Sequence, residues 1–182
     1  ANSDKGPLAL EVLNDTKIGT PPEVGRNVIV IGGGNVAMDV AREALRLQNI
    51  QYSGEQGLTT STVSLEDWDE MPATEDEIEE AKDEGVIFNP AWGPKEVVLD
   101  GEGKVRGLLC KKVKSVFDEQ GRFAPTFHEG VERLLEGDMI IEAIGQAPDF
   151  SFIPEETFQR VKFTERRKVH VDERGMTTVE GL

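Results

Sequence analysis

A run of β-branched residues that ends on three consecutive glycines limits the possible folds of this chain more than any other feature. Residues 28–31 read Val-Ile-Val-Ile, a pattern typical of a strand that is buried on both faces. Gly32, Gly33 and Gly34 follow, and apolar residues then recur every three or four positions from Val36 to Leu47. The sequence therefore predicts a strand, a tight turn and a helix, which is the opening unit of an α/β fold.

The glycine turn also carries a binding pattern. The residues Gly32-Gly33-Gly34-Asn35-Val36-Ala37 fit the dinucleotide-binding fingerprint G-x-G-x-x-(G/A). Gly32 would permit the turn, Gly34 would let a pyrophosphate approach the backbone, and Ala37 would let the helix pack closely on the strand. The free N–H groups and the dipole of the first helical turn would face the phosphates. A glycine turn without a ligand is the alternative.

Two acidic residues follow the next predicted strand, residues 61–65, where folds of this kind bind the adenosine ribose. The carboxylates of Glu66 and Asp67 would accept hydrogen bonds from the ribose hydroxyls and would repel a 2′-phosphate. No Arg or Lys occurs between Arg46 and Lys82. The sequence therefore predicts a preference for NAD(H) over NADP(H), unless both residues are ordinary exposed acids. Asp39, one turn into the helix, either contacts the nucleotide or only favours the helix dipole.

The rest of the chain indicates further elements around this unit. A short helix lined by Leu8, Leu10, Val12 and Leu13 would precede it, and residues 48–60 read as a polar loop that covers the adenine or contacts a partner. Thr74 and Glu77 have capping-box spacing before a helix at 75–84, which Gly85 would end. The remaining strands are predicted at 86–88, 96–99, 105–117, 122–135, 139–144 and 169–171, with a turn at 173–175. We expect an α/β fold with a Rossmann-like parallel sheet, flanking helices and an inserted antiparallel β-meander, and a nucleotide across the carboxyl ends of strands 28–31, 61–65 and 139–144.

Composition narrows the functional classes. A net charge of −15 argues against nucleic-acid binding, and the acidic run at 75–84 is either a solvated helix face or a docking surface. No apolar stretch is long enough to span a membrane, and we expect a cytoplasmic protein. Cys110 is the only cysteine and is expected to be buried, while His128 and His170 have no acid or nucleophile in sequence reach. No catalytic residues and no metal-ligand spacing are predicted.

Three segments resemble, in the same order, the NAD(P)H-binding domain of the glutamate synthase small (beta) subunit family of FAD-dependent pyridine nucleotide oxidoreductases. They are residues 24–42, Glu70-Met71-Pro72-Ala73 and Ala143-Ile144-Gly145-Gln146-Ala147-Pro148-Asp149. Members that use NADPH commonly carry two arginines where this chain has Leu65 and Glu66, which agrees with a preference for NADH. The predicted cofactor-binding residues are Gly32, Gly33, Gly34, Asn35, Val36, Ala37, Asp39, Glu66, Asp67, Ala143, Ile144 and Gly145.

The resemblance implies hydride transfer from NAD(P)H to FAD and electron transfer onward through iron–sulfur clusters, with FAD and clusters in a parent protein and not in this chain. It implies a lead-in from an FAD-domain boundary at 1–23, an NAD(P)H-binding domain at 24–149 and a return segment toward a missing FAD domain at 150–182. We expect the isolated chain to be inactive. Its partners would be that FAD domain and a large catalytic or electron-accepting subunit. A free-standing dehydrogenase and a nucleotide-sensing or interaction module are the alternatives, and the lack of Cys-x-x-Cys disfavours thioredoxin-reductase-like chemistry.

Overall fold

The computed structural model describes residues 8–145, 149–164 and 168–181, and it divides the chain into two compact units, residues 1–144 and 145–182. The described residues of the larger unit form the helices α1 (Ala9–Lys17), α2 (Asn35–Gln51) and α3 (Glu75–Asp83), and a 3₁₀ turn at Trp68–Glu70. Its strands are β1 (Asn27–Ile31), β2 (Thr59–Val63), β3 (Ile87–Asn89), β4 (Trp92–Leu99), β5 (Val105–Phe117), β6 (Phe123–Glu136) and β7 (Met139–Glu142).

A parallel sheet in the order β3-β2-β1-β7 forms the centre of the larger unit. Ile31, the last residue of β1, lies opposite Val63 of β2 and Glu142 of β7, so the carboxyl ends of these three strands meet at one edge. Val28 and Val30 face α2, which buries Met38, Val40 and its small residues against them. Burial of these apolar side chains fixes the helix on the sheet.

The opposite face of the parallel sheet is covered by the antiparallel meander β4-β5-β6. Ile29, Ile31 and Val63 pack there against Leu108 and Cys110 of β5. The predicted fold class, a Rossmann-like parallel sheet with flanking helices and an inserted antiparallel meander, is confirmed. Cys110 is buried, as the sequence predicted.

Several local predictions differ from the structure. In α1 the buried residues are Ala9 and Val12, while Leu8 and Leu10 are exposed. Strand β2 begins and ends two residues earlier than predicted, and α2 continues to Gln51, so the loop predicted at 48–60 is shorter at both ends. Strand β4 begins four residues earlier than predicted, and β7 ends two residues earlier. Thr59 and Thr60 look like loop residues because they are polar, but the buried Thr60 hydroxyl donates to Gln48 Oε1 at 2.9 Å.

The remaining connection between α2 and β2 lies at the amino-terminal end of the strands. Glu55 pairs with Arg26 just before β1, and the Tyr52 hydroxyl donates to the Val24 carbonyl at 2.7 Å. This connection is therefore at the sheet edge opposite the glycine turn, and it does not cover that turn.

The capping box predicted at Thr74 is wrong, although the helix that it marked is present. The Thr74 side chain makes no cap hydrogen bond. Its backbone N–H, which Glu77 would have to receive in a capping box, donates to Asn35 Oδ1 at 2.9 Å. A tertiary contact has replaced the local one.

The smaller unit contains a short helix, α4 (Glu155–Phe158), and a cluster of three aromatic rings. Phe163 lies 5.0 Å from Phe150 and 5.1 Å from Phe158, measured between ring centroids. The strand predicted at 169–171 is reduced to one bridge between Phe163 and Val169, and the turn at 173–175 is present. Residues 146–148 of the third family segment lie outside the described residues.

Candidate nucleotide-binding site

The turn between β1 and α2 requires glycine at its first position. Gly32 has a φ of 147°, and a Cβ there would lie 2.5 Å from the Ala143 carbonyl oxygen and 3.2 Å from the Ala37 Cβ. Ala37 is fully buried in the core between helix and sheet. Gly32 and Ala37 therefore bring the start of α2 close to the ends of β1 and β7, which is the geometry that the fingerprint predicts.

The third glycine faces open space. Gly34 is the N-cap of α2, and among the described residues no atom beyond its chain neighbours lies within 4 Å of the position that a Cβ would take. Within the described residues, the N–H groups of Asn35 and the exposed Val36 donate to no acceptor. The helix therefore presents free donors and the positive end of its dipole beside an unobstructed backbone, an arrangement that suits a phosphate group.

The middle glycine touches the segment that follows β2. A Cβ on Gly33 would lie 3.0 Å from the Ser64 Cβ, 3.3 Å from Glu66 Oε2 and 3.3 Å from the Met71 Cγ. The Glu66 carboxylate thus lies against the glycine turn. The backbone of Glu66 is also fixed, because its carbonyl oxygen accepts from the Ala91 N–H at 2.9 Å and from the Ser64 hydroxyl at 3.0 Å.

The other two predicted acids are placed differently. Asp67 Oδ1 accepts from the Trp68 N–H at 2.9 Å and caps the 3₁₀ turn, so this carboxylate has a structural partner. Asp39 is exposed on α2. Of the three acids, Glu66 is the one whose carboxylate approaches the glycine turn.

Sequence reasoning missed the contacts that hold the glycine turn from the outside. The Ala73 N–H donates to the Gly33 carbonyl oxygen at 3.0 Å, and the Thr74 N–H donates to Asn35 Oδ1. Met71 and Ala73 are buried in the core below. Only the family resemblance at residues 70–73 pointed to this segment, because the partners are about 40 residues apart in sequence. The oxygen of Asn35, predicted to bind cofactor, is engaged in this contact.

The last part of the candidate site is the carboxyl end of β7, which lies beside the glycine turn. The Ala143 N–H donates to the Ile31 carbonyl at 2.8 Å, and its own carbonyl faces Gly32. Ile144 is 73% exposed. Gly145, the first residue of the smaller unit, has a φ of 93°.

A cation that the sequence had not placed lies beside the segment after Glu66. Lys82 Nζ is 4.1 Å from the ring centroid of Trp68, and that ring is 5.2 Å from Phe88. The sequence interval between Arg46 and Lys82 contains no cation, but α3 brings Lys82 back to Trp68. The cation–π contact orients the ammonium group over the indole.

Part of the acidic helix is used inside the molecule. Arg42, whose side chain is only 15% exposed, pairs with Glu77, Glu80 and Glu84 at 3.4, 2.6 and 2.7 Å. Hydrogen bonds from Arg46 and then from Arg42 lower the pKa of Glu84. These acids therefore tie α3 to α2 rather than forming only a solvated face or a docking surface.

The described residues contain no group of three or more His, Cys, Asp or Glu side chains that could hold a metal ion. Within the same residues, no helix is both long and apolar enough to cross a membrane.

Burial raises the pKa of the Cys110 thiol to about 11. His128 and His170 are exposed.

The parallel sheet, the glycine turn and the inserted meander define a Rossmann-type domain. The chain belongs to the pyridine nucleotide-disulphide oxidoreductase family, whose sequence model matches residues 3–182. It is similar in fold to thioredoxin reductase from T. acidophilum, with a TM-score of 0.62 and 22% identity over 93% of this chain and 45% of that one. FprA from Mycobacterium tuberculosis also gives a TM-score of 0.62, with 17% identity over 89% of this chain and 51% of that one.

Sequence relatives are oxidoreductases and confirm the resemblance to the glutamate synthase small subunit. The NADPH-Fe(3+) oxidoreductase subunit beta of Geobacter sulfurreducens is 36% identical over 80% of this chain and 21% of its own length. The NADP(+)-dependent formate dehydrogenase subunit beta of Moorella thermoacetica is 33% identical over 90% and 22%. The glutamate synthase [NADPH] small chain of Azospirillum brasilense is 32% identical over 69% and 24%. The chain thus spans a fifth to a quarter of these relatives.

Proposed function

We propose that this chain binds a nicotinamide dinucleotide at the glycine turn and presents it for hydride transfer to an FAD held elsewhere in the parent protein. The observation that supports this best is the open backbone at Gly34 beside the free N–H groups of Asn35 and Val36. The pyrophosphate would accept hydrogen bonds from these groups, and the helix dipole would favour its charge. Ala37, fully buried, would contribute only close packing.

Glu66 would bind the adenosine ribose through its 2′- and 3′-hydroxyls, and Asp67 and Asp39 would add negative potential. A carboxylate at this point repels a 2′-phosphate, which supports NADH as the preferred coenzyme. The three relatives described above carry NADPH or NADP(+) in their names. If the chain prefers NADPH instead, Lys82, which lies over Trp68 in the segment after Glu66, is the cation that we expect to bind the 2′-phosphate.

Calorimetric titration of the chain with NADH and with NADPH tests both parts of this proposal. We expect the unmodified chain to bind NADH more tightly and Glu66→Arg to shift the preference toward NADPH. Glu79→Arg, on the exposed side of α3, makes the same charge change away from the glycine turn and should leave the preference unchanged. Tighter binding of NADPH by the unmodified chain would reject the NADH preference, and binding of neither coenzyme would reject the nucleotide site.

For the parent protein we propose a flavoprotein in which FAD accepts the hydride and iron–sulfur clusters carry single electrons to a large catalytic or electron-accepting subunit. Residues 24–149 would be its nucleotide domain, flanked by FAD-domain boundaries at 1–23 and 150–182, in a cytoplasmic enzyme. The share of each relative that the chain matches supports a larger parent. The chain alone, mixed with NADH and free FAD, should oxidise no NADH in a spectrophotometric assay. Steady oxidation of NADH by the chain alone would instead show that it needs no separate FAD domain.

A further inference from the structure

Gly33 is the position where the phosphate-binding and ribose-binding parts of the candidate site touch. We propose that Gly33 is a specificity-determining residue, because its missing Cβ lets the Glu66 carboxylate lie against the glycine turn, within reach of the coenzyme ribose. This inference rests on the proposed function, in which Glu66 binds the ribose. In the fingerprint G-x-G-x-x-(G/A), position 33 is the unspecified residue, so the pattern itself assigns it no role.

The three neighbours of Gly33 differ in their freedom to move. Ser64 is fixed by its backbone, because its N–H donates to the Asn89 carbonyl at 3.3 Å and its carbonyl accepts from Trp92 at 2.9 Å. Met71 is buried in the core. Only the Glu66 carboxylate is the free end of a flexible side chain. A methyl group on Gly33 would lie 3.0 Å from the fixed Ser64 Cβ and 3.3 Å from Glu66 Oε2, so the crowding is relieved by the group that can move, and the carboxylate is displaced by a few tenths of an ångström.

The glycine turn cannot avoid this contact by moving away from the segment 64–74. The Gly33 carbonyl accepts from Ala73, and Asn35 Oδ1 accepts from Thr74, at 3.0 and 2.9 Å. These two bonds hold the turn and the segment together, so an added methyl acts on the most mobile group between them. Gly34 provides the matched control. A methyl there meets no other atom within 4 Å in the part of the chain that the structure describes, and it would obstruct a bound pyrophosphate.

The test is calorimetric titration of the full chain and its variants with NADH and NADPH, with the ratio of the two dissociation constants as the measured quantity. The ratio is informative because damage to the phosphate-binding turn weakens both coenzymes alike and leaves it unchanged. The variants are Gly33→Ala, Glu66→Gln, the double variant and Gly34→Ala. Thermal unfolding of each variant verifies that it is folded.

We expect Glu66→Gln to reduce the preference for NADH at least about tenfold, as the loss of a hydrogen bond from the ribose to a charged acceptor implies. Gly33→Ala should reduce it about three- to tenfold, since the carboxylate is displaced but not removed. In the double variant the preference should equal that of Glu66→Gln alone, because the methyl then has no carboxylate to displace. Gly34→Ala should weaken both coenzymes by similar factors.

The outcomes separate the inference from the proposed function. If Glu66→Gln leaves the ratio unchanged, Glu66 does not bind the ribose, and both the inference and the ribose-binding part of the proposed function fail, whereas binding of neither coenzyme rejects the nucleotide site itself. If Glu66→Gln changes the ratio while Gly33→Ala does not, or if their effects multiply in the double variant, only the role of Gly33 fails. Glu66→Asp keeps Gly33 intact but shortens the side chain by one methylene, which covers the case of a Gly33→Ala protein that does not fold. It should also reduce the preference, and an unchanged ratio would overturn the inference.

Discussion

Gln48 is the buried polar residue whose replacement should cost this fold most clearly. Its side chain is 1% exposed, and Nε2 donates to the carbonyls of Gly25, Arg26 and Thr59 at 2.9, 3.1 and 3.1 Å. Its Oε1 accepts from the hydroxyl of Thr60, which is fully buried. One amide group thus joins α2 to the start of β1 and to the start of β2.

Gln48→Leu keeps the volume but removes both the donor and the acceptor. The Thr60 hydroxyl then loses its acceptor away from water, at roughly 1–3 kcal/mol, and the carbonyls lose a shared donor. Arg26 keeps its bond from the Thr59 N–H at 3.0 Å, so its carbonyl adds little. Allowing for the apolar burial gained by leucine, we expect a loss of about 3 kcal/mol in the free energy of unfolding.

Urea unfolding followed by tryptophan fluorescence measures this loss. Both tryptophans of the chain, Trp68 and Trp92, lie in the larger unit, so the signal reports that unit. Asn49→Leu, at the neighbouring exposed position, is the control and should change stability by less than about 0.5 kcal/mol.

A second substitution tests the reason for the loss. Thr60→Val removes the hydroxyl that Gln48→Leu leaves without an acceptor, so the double variant should be more stable than the sum of the single effects by about 1 kcal/mol. A loss below about 1 kcal/mol for Gln48→Leu, or strictly additive effects, would refute the account of the buried amide.

Three further predictions concern other parts of the larger unit. Hydrogen bonds from Arg46 and Arg42 lower the pKa of Glu84 from 4.5, so its contribution to stability is present above that pH and is lost as the pH falls through the lowered value. Glu84→Gln should therefore flatten the fluorescence-detected acid unfolding curve below pH 4.5, and an unchanged curve would contradict this. Cys110, with a pKa of about 11 and no exposure, should react with a thiol reagent at pH 8 only as fast as the chain unfolds, so rapid labelling of the folded chain would refute its burial. Ala91 has a φ of 57°, a backbone conformation that strains alanine but not glycine. In urea unfolding, Ala91→Gly should therefore leave the free energy of unfolding unchanged or raise it by up to about 1 kcal/mol. A clear decrease would show that the packing of the Ala91 methyl group matters more than the backbone strain.

The parts of the fold that could be predicted are those with a local signal. The β-branched strand before Gly32, the glycine turn and the amphipathic α2 are each visible within a few residues, and the structure confirms them. The start of β2 was missed because Thr60 is polar, and its burial depends on Gln48 in a different element. A single-residue pattern cannot show such a pairing.

The candidate site divides in the same way. Gly32 and Ala37 were assigned from the fingerprint, and the structure gives them the expected packing. The contacts of Ala73 with Gly33 and of Thr74 with Asn35 could not be predicted, because they join backbone and side-chain atoms about 40 residues apart. The same tertiary contact made the predicted capping box wrong.

The position of the loop between α2 and β2 has a consequence for how chains of this kind diverge. The interval from Ala37 to Glu66 is set by the last turns of α2 and by residues 52–58, which lie at the sheet edge remote from the glycine turn. The register of β1 with β2, together with the bonds from Ala91 and Ser64 to the Glu66 carbonyl, decides where Glu66 comes to lie. Insertions and deletions in that loop can therefore accumulate without moving the acid, and a search pattern with a fixed interval between glycines and acid would overlook such chains. A pattern that locates the acid by its distance from Met71-Pro72-Ala73 would include such chains, because the variable loop does not lie within that interval.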